Sequence, residues 1–253
     1  MAPQTAPDPE LVRFYEEAER KYLRSLPPEH FMEAFAQGTQ RKITLESFDL
    51  IGRARPEVQC FNELLVQYPR PGRKTPGQVV PDNLVVVHPE PLQVRGSFAV
   101  ELQPARPFLV IEYVSKQSRR KDYDDNLRRY ERELRVPYYL LFYPDNEELT
   151  LFRLAADRYA PVGPIVTGRQ PVPELELEVA LLDGWVRYWF RGQLLPLPAD
   201  LADRLDEERA ARAEAERERD AAERERDAAN ERASALEAEV ARLREELARA
   251  RGG

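Results

Sequence analysis

The sequence predicts an α/β domain, with a mixed sheet flanked by helices, followed by a long charged helix. Three observations carry that expectation. "PFLVIEYVSKQSRRKDYDDNLRRYERELRVPYYLLFYPD", residues 107–145, places a polar, helix-forming stretch between two apolar runs. This predicts a strand at 108–114, a helix at about 119–134 and a strand at 138–143. "QVVPDNLVVVH", residues 78–88, is another strand-forming run, and its valines suit burial on both faces. From about Leu201, proline is absent, glycine returns only at Gly252 and Gly253, and Ala, Glu and Arg dominate.

The other elements follow in order. Residues 8–51 predict two helices, with Leu11, Phe14, Tyr15 and Ala18 at helical spacing and a break at Pro27-Pro28. Ile43, Phe48 and Ile51 form a second apolar set, with Gly52 as its expected end. "EVQCFNELLVQYPR" is rich in strand formers, and "RPGRKTPG" is a turn. "PEPLQVRGSFAVELQPAR" reads as a polar connection. After residue 145 come a turn, the strand "TLFRL", and weaker strands in "RYAPVGP" and "LELEVALLD". "GWVRYWFRGQLLPLP" is expected to cap the domain. In the tail, "AERERDA" occurs in tandem at 215–221 and 222–228, a seven-residue repeat. Leu236, Val240, Leu243 and Leu247 form a short apolar seam. The tail reads as a solvated helix held by i,i+4 pairs, or as a coiled coil through which two copies associate. The expected division is a helical segment at 1–38, a domain with a C-terminal extension at 39–200, and the charged helix at 201–253.

Composition narrows the function. The chain has 253 residues and a net charge of -7. One cysteine, Cys60, excludes an internal disulfide framework and a zinc site built on several thiolates, and suits a reducing cytoplasm. Two histidines, His30 and His88, are too few for a multi-histidine metal centre. No apolar run reaches the roughly 20 residues that cross a bilayer. The acidic balance argues against strong non-specific nucleic-acid affinity, but allows a local basic patch. "KQSRRKD" with Arg128, Arg129 and Arg132 is one candidate, and pairing with Asp124, Asp125, Glu131 and Glu133 is its plainer reading. No glycine-rich phosphate loop is present.

Glu112 stands out as a carboxylate late in an apolar strand. Asp82 lies 30 positions earlier, at the start of the valine-rich strand. Acids at neighbouring strand ends can share a hard divalent cation such as Mg²⁺ or Mn²⁺ through oxygen ligands. A nearby lysine would offset negative charge developing on a phosphodiester. The plainer reading is a strand-end acid facing solvent or paired with an arginine.

The order helix, strand, "PD" strand, strand with Glu, helix, strand resembles the PD-(D/E)xK nuclease superfamily. More closely, Pro81-Asp82, Glu112-Tyr113-Val114-Ser115, Lys121-Asp122-Tyr123 and Tyr130 resemble the Uma-two family. The resemblance implies a restriction-endonuclease-like fold and a metal-dependent endonuclease acting on DNA. Asp82 and Glu112 match the two metal-binding acids. The lysine expected two positions after the second acid is Val114. The alternative lysine, four residues before the tyrosine, is Asn126. Lys116 and Lys121 are candidate replacements. Gln40, Glu33 and Glu46 are candidates for a further polar group from the first helix of the core, Gln40 foremost, and Glu63 for one from a predicted strand. The missing lysine also leaves open a non-catalytic fold that binds nucleic acid or protein.

Overall fold

The computed structural model describes residues 8–25, 35–94, 96–114 and 125–251. The described residues form two units, 1–197 and 198–253. The first unit is mixed α/β.

Its centre is a six-stranded sheet. The strands are β1 (Val58–Asn62), β4 (Asn83–Val87), β6 (Pro107–Tyr113), β7 (Tyr138–Tyr143), β8 (Glu148–Ala155) and β9 (Arg158–Pro161), in that spatial order. Neighbours are antiparallel except β6 and β7, which run parallel. A parallel pair needs a crossover, and the chain between β6 and β7 includes helix α3, described over residues 125–134. Leu109, Ile111 and Tyr113 face one apolar layer, and Val110 faces the other. This alternation is the period of a pleated strand buried on both sides.

One layer is closed by helix α2 (Phe35–Ala54) and by a four-stranded sheet. That sheet comprises β10 (Gln170–Val172), β11 (Leu177–Leu182), β12 (Trp185–Phe190) and β13 (Gln193–Leu194). The other layer is closed by α3 through Leu127, Tyr130 and Leu134, and by a small sheet. The small sheet orders β3 (Gly77–Val79), β2 (Leu65–Tyr68) and β5 (Ser97–Ala99). Helix α1 (Pro9–Ser25) is pinned to it. Gln67 and Gln78 donate to the carbonyls of Tyr15 and Ala18, each at 3.0 Å. Tyr15 donates to Glu101 at 2.5 Å.

Five expectations change here. The run around Glu63 is not one strand. Glu63 adopts φ 45° and separates β1 from β2, which join different sheets. "QVVPDNLVVVH" divides in the same way, because Pro81 has no N–H for a ladder. "GSFAV" supplies the buried strand β5, paired parallel to β2. Gly52 lies inside α2 rather than ending it. A Cβ there would sit 3.3 Å from the Val58 carbonyl, so glycine suits the close approach of helix and strand. The "GWVRYWF" segment is the strand β12, and Trp189 lies under the Arg169 guanidinium at 4.5 Å.

Gln40 is fully buried and ties α2 to β12. It accepts from the Val186 N–H at 2.8 Å and donates to the Val186 carbonyl at 3.1 Å. Gln40→Ala would strip both groups of their partner. A buried unpaired backbone group costs about 1–3 kcal/mol, so a loss on the order of 2–4 kcal/mol is expected in urea unfolding.

The second unit is helix α4 (Pro198–Arg251), 54 residues long. Leu201 and Leu236 are exposed, at 43% and 66%. Nearly every residue in it is a good helix former. Among the described residues, no helix is long and apolar enough to cross a membrane. Truncation after Pro198 is expected to leave the melting temperature and cooperativity of the first unit unchanged. A calorimetric scan showing a broadened or earlier transition would make α4 integral to the fold.

Candidate active site

Sheet register brings Asp82 and Glu112 together. Asp82 immediately precedes β4, whose Asn83 lies opposite Ile111 on antiparallel β6. The start of one strand therefore meets the end of the other. Asp82 Oδ2 accepts from the Tyr113 N–H at 2.7 Å, and the two carboxyls lie within hydrogen-bonding reach. Glu112 points into the α3 layer, where its Oε1 accepts from the Tyr130 hydroxyl at 2.6 Å. Tyr130 sits in a π-helical turn, Arg129–Leu134, which closes on a left-handed Arg135.

The pair is electrostatically uncomfortable. Burial first, and then the charge of Asp82, raise Glu112 well above its ordinary value of 4.5; the Tyr130 hydrogen bond opposes this. Asp82 is raised too, by burial, against the lowering effects of the Tyr113 N–H and Arg41. Neighbouring carboxyls, one buried and one partly buried, favour sharing one proton or one cation.

Helix α2 supplies the polar surroundings. Arg41 Nη2 donates to Asp82 Oδ1 at 2.9 Å, and its Nη1 lies 3.0 Å from Glu63 Oε1. Gln37 donates to the Tyr113 carbonyl at 2.8 Å. Gln37 and Arg41 are four residues apart, so they share a helix face. Gln40 and Thr44 are also four apart, but their face turns toward β12, and the Gln40 amide is spent on Val186. The site thus receives Gln37 and Arg41 rather than Gln40, because one residue along a helix rotates the side chain by about 100°. The Glu63 side chain is tied to the site by Arg41, and the Glu63 N–H donates to the Asp82 carbonyl at 3.2 Å. Asn126 accepts weakly from Arg129 at 3.5 Å. Lys116 and Lys121 lie outside the described residues, as do Glu33 and Asp122. Gln37 and Arg41 carried no motif in the sequence. Their i,i+4 spacing on a helix packed at the strand ends was the available signal.

Beneath the acids runs a buried hydroxyl chain. The Tyr113 hydroxyl lies 2.6 Å from Thr44 Oγ1 and 2.7 Å from the Asn83 side-chain oxygen, and Thr44 lies 2.8 Å from the Tyr188 hydroxyl. Tyr113 has one proton and cannot donate to both. The Asn83 Nδ2 is buried without a partner. Exchanging the Asn83 amide ends removes the donor conflict: Nδ2 then donates to Tyr113, and Tyr113 donates to Thr44. This chain holds Tyr113, and with it the N–H that orients Asp82.

The donor set suits a hard divalent cation. It offers two adjacent carboxylates whose repulsion a cation would relieve, beside the Tyr113 carbonyl. Among the described residues, no group of three or more His, Cys, Asp or Glu side chains is placed to hold an ion.

Comparison with known proteins agrees with the motif order. No curated protein matches the chain significantly. Among solved structures, one similar chain is "a putative nuclease belonging to DUF820" from Anabaena variabilis. It shares 15% identity and a TM-score of 0.44, over 57% of this chain and 75% of that one. The family Uma2, described as "Putative restriction endonuclease", matches residues 33–186. That span holds α2, the six strands of the central sheet, Asp82, Glu112 and Tyr130, and the chain belongs to the Uma2 family.

Proposed function

We propose that this protein is a divalent-metal-dependent endonuclease that hydrolyses phosphodiester bonds of DNA. The observation that carries the reading is the carboxyl pair at adjoining strand ends, a buried Glu112 raised by burial and by the charge of the partly buried Asp82. These two residues would hold Mg²⁺ or Mn²⁺. Such an ion, when bound, polarises a phosphodiester and lowers the pKa of its water. The protein's own groups set the geometry. Tyr130 orients Glu112, while Arg41 and the Tyr113 N–H orient Asp82. The cationic role, vacated at Val114 and Asn126, falls to Lys116 or Lys121 just after β6. Arg41, already on Asp82, is the third candidate. The seam of α4 would support self-association, and the single cysteine suits a cytoplasmic setting.

One observation favours a second reading, a non-catalytic module that binds nucleic acid or protein. Arg41 already neutralises Asp82, as a structural ion pair would.

Plasmid nicking with and without Mg²⁺ or Mn²⁺ separates the two. Asp82→Asn and Glu112→Gln are expected to abolish cleavage, and Asp122→Asn to leave it intact. Tyr130→Phe, which loses only the orienting hydroxyl, is expected to reduce cleavage by about 10–100-fold. Of Lys116→Ala, Lys121→Ala and Arg41→Ala, the one that removes cleavage but keeps metal binding identifies the cation. Nicking that survives both carboxylate substitutions would place the chemistry elsewhere. Absence of nicking and of any metal-induced thermal shift in the unmodified chain would favour the module.

Stability should also report on the pair. Glu112 is raised in the folded state, so the folded chain binds its proton more tightly than the unfolded chain. That contribution is complete below the ordinary value of 4.5 and is lost as pH rises through the folded value. In chelator, denaturant titrations across pH should therefore show stability falling above pH 4.5, and Glu112→Gln should flatten this slope. Added metal should restore stability at neutral pH, by about 2.7 kcal/mol at 100 times its Kd, and only while Glu112 is present.

A further inference from the structure

Helix α3 has two faces. Leu127, Tyr130 and Leu134 turn inward. Asp125, Arg128, Arg129, Arg132 and Glu133 follow i, i+3, i+4, i+7 and i+8 spacing, a single outer stripe. With Arg70, which follows β2, this stripe lines a cleft of about 350 Å³. The cleft is strongly cationic in a chain of net charge -7, with four arginines against two acids.

The acids are committed. Glu133 is shared between the Tyr68 hydroxyl and Arg70 Nε, the latter at 3.4 Å. Asp125 pairs with Arg128. Arg129 spends Nη1 on the Gln78 carbonyl at 3.2 Å, which braces it against β3. Arg132 pairs through Nε with Glu131 at 3.6 Å, outside the cleft lining. A guanidinium has five N–H donors, and the contacts of Arg70, Arg129 and Arg132 use a minority of them. Braced arginines with spare donors are suited to the paired oxygens of a phosphate.

We infer that this cleft binds the phosphates of a nucleic-acid backbone. The role of that binding, to position a strand for Asp82 and Glu112, rests on the nuclease reading; the binding itself rests on the cleft. The helix links the two, since Arg129 is adjacent in sequence to Tyr130, whose hydroxyl holds Glu112. Backbone contact of this kind is independent of base sequence.

The test uses the full chain carrying Glu112→Gln, so that bound DNA is not cut. A short fluorescent duplex of arbitrary sequence is titrated by anisotropy at salt between about 50 and 200 mM. Arg70→Ala with Arg132→Ala is expected to weaken binding at least tenfold and to reduce the salt slope by about two. Arg153→Ala with Arg191→Ala removes two arginines paired with Glu174 and Glu176, and should change neither. Should the cleft double variant melt early, Arg132→Glu substitutes for it, because Arg132 is 60% exposed. That variant should lose affinity in the same direction. Unchanged affinity and slope in the cleft variants, an equal loss in the control, or no duplex binding at all would overturn the inference. The two readings fail separately. If the unmodified chain nicks DNA and the cleft variants bind and nick as well, only the cleft is wrong. If the chain never nicks, yet the cleft variants lose binding, only the nuclease reading is wrong.

Discussion

The architecture depends on keeping a carboxylate near the end of a strand that is buried on both faces. Glu112 is 9% exposed, with Asp82 beside it. An uncompensated buried charge costs several kcal/mol, so its surroundings must supply donors, a proton or a cation. Each element around the pair answers part of that demand. The antiparallel β4–β6 register presents the Tyr113 N–H to Asp82. The crossover between parallel β6 and β7 contains α3, which delivers the Tyr130 hydroxyl. Helix α2 contributes the Arg41 guanidinium.

Helix α2 is the second organiser, because its sides do different work. Ile43, Phe48 and Ile51 enter the core. Gln40 and Thr44 bond to Val186 and Tyr188 of β12, fastening the four-stranded sheet to the central one. Gln37 and Arg41 reach the strand ends. A single helix therefore joins the stability of the two-sheet core to the polar shell of the acids. This explains why the C-terminal strands, outside the central sheet, bear on the site at all. They hold α2, and α2 holds Asp82.

The elements legible in the sequence were those whose signals are local. The crossover unit, the valine-rich strand and the α4 helix each carry their period or composition within a short window. The misread elements depended on partners far away. Glu63 breaks a strand-forming run because β1 and β2 belong to different sheets, and β5 is a strand because β2 lies beside it. Gly52, a stop signal in isolation, lies within a helix, where its missing Cβ leaves room for the Val58 carbonyl.

The same division holds at the site. The sequence by itself determined which acids are exceptional, since a carboxylate within an apolar run is costly wherever the chain folds. It also determined that the expected lysine positions hold Val114 and Asn126. Only the tertiary structure decided that Arg41 and Gln37, and not Gln40, face those acids. The physical reason is the helical period: neighbouring residues differ by about 100° in direction, and no local signal says which direction meets a strand end. Only the tertiary structure gathered Arg70 with the arginines of α3, because that juxtaposition is set by how the β2 strand packs beneath the helix and not by distance along the chain.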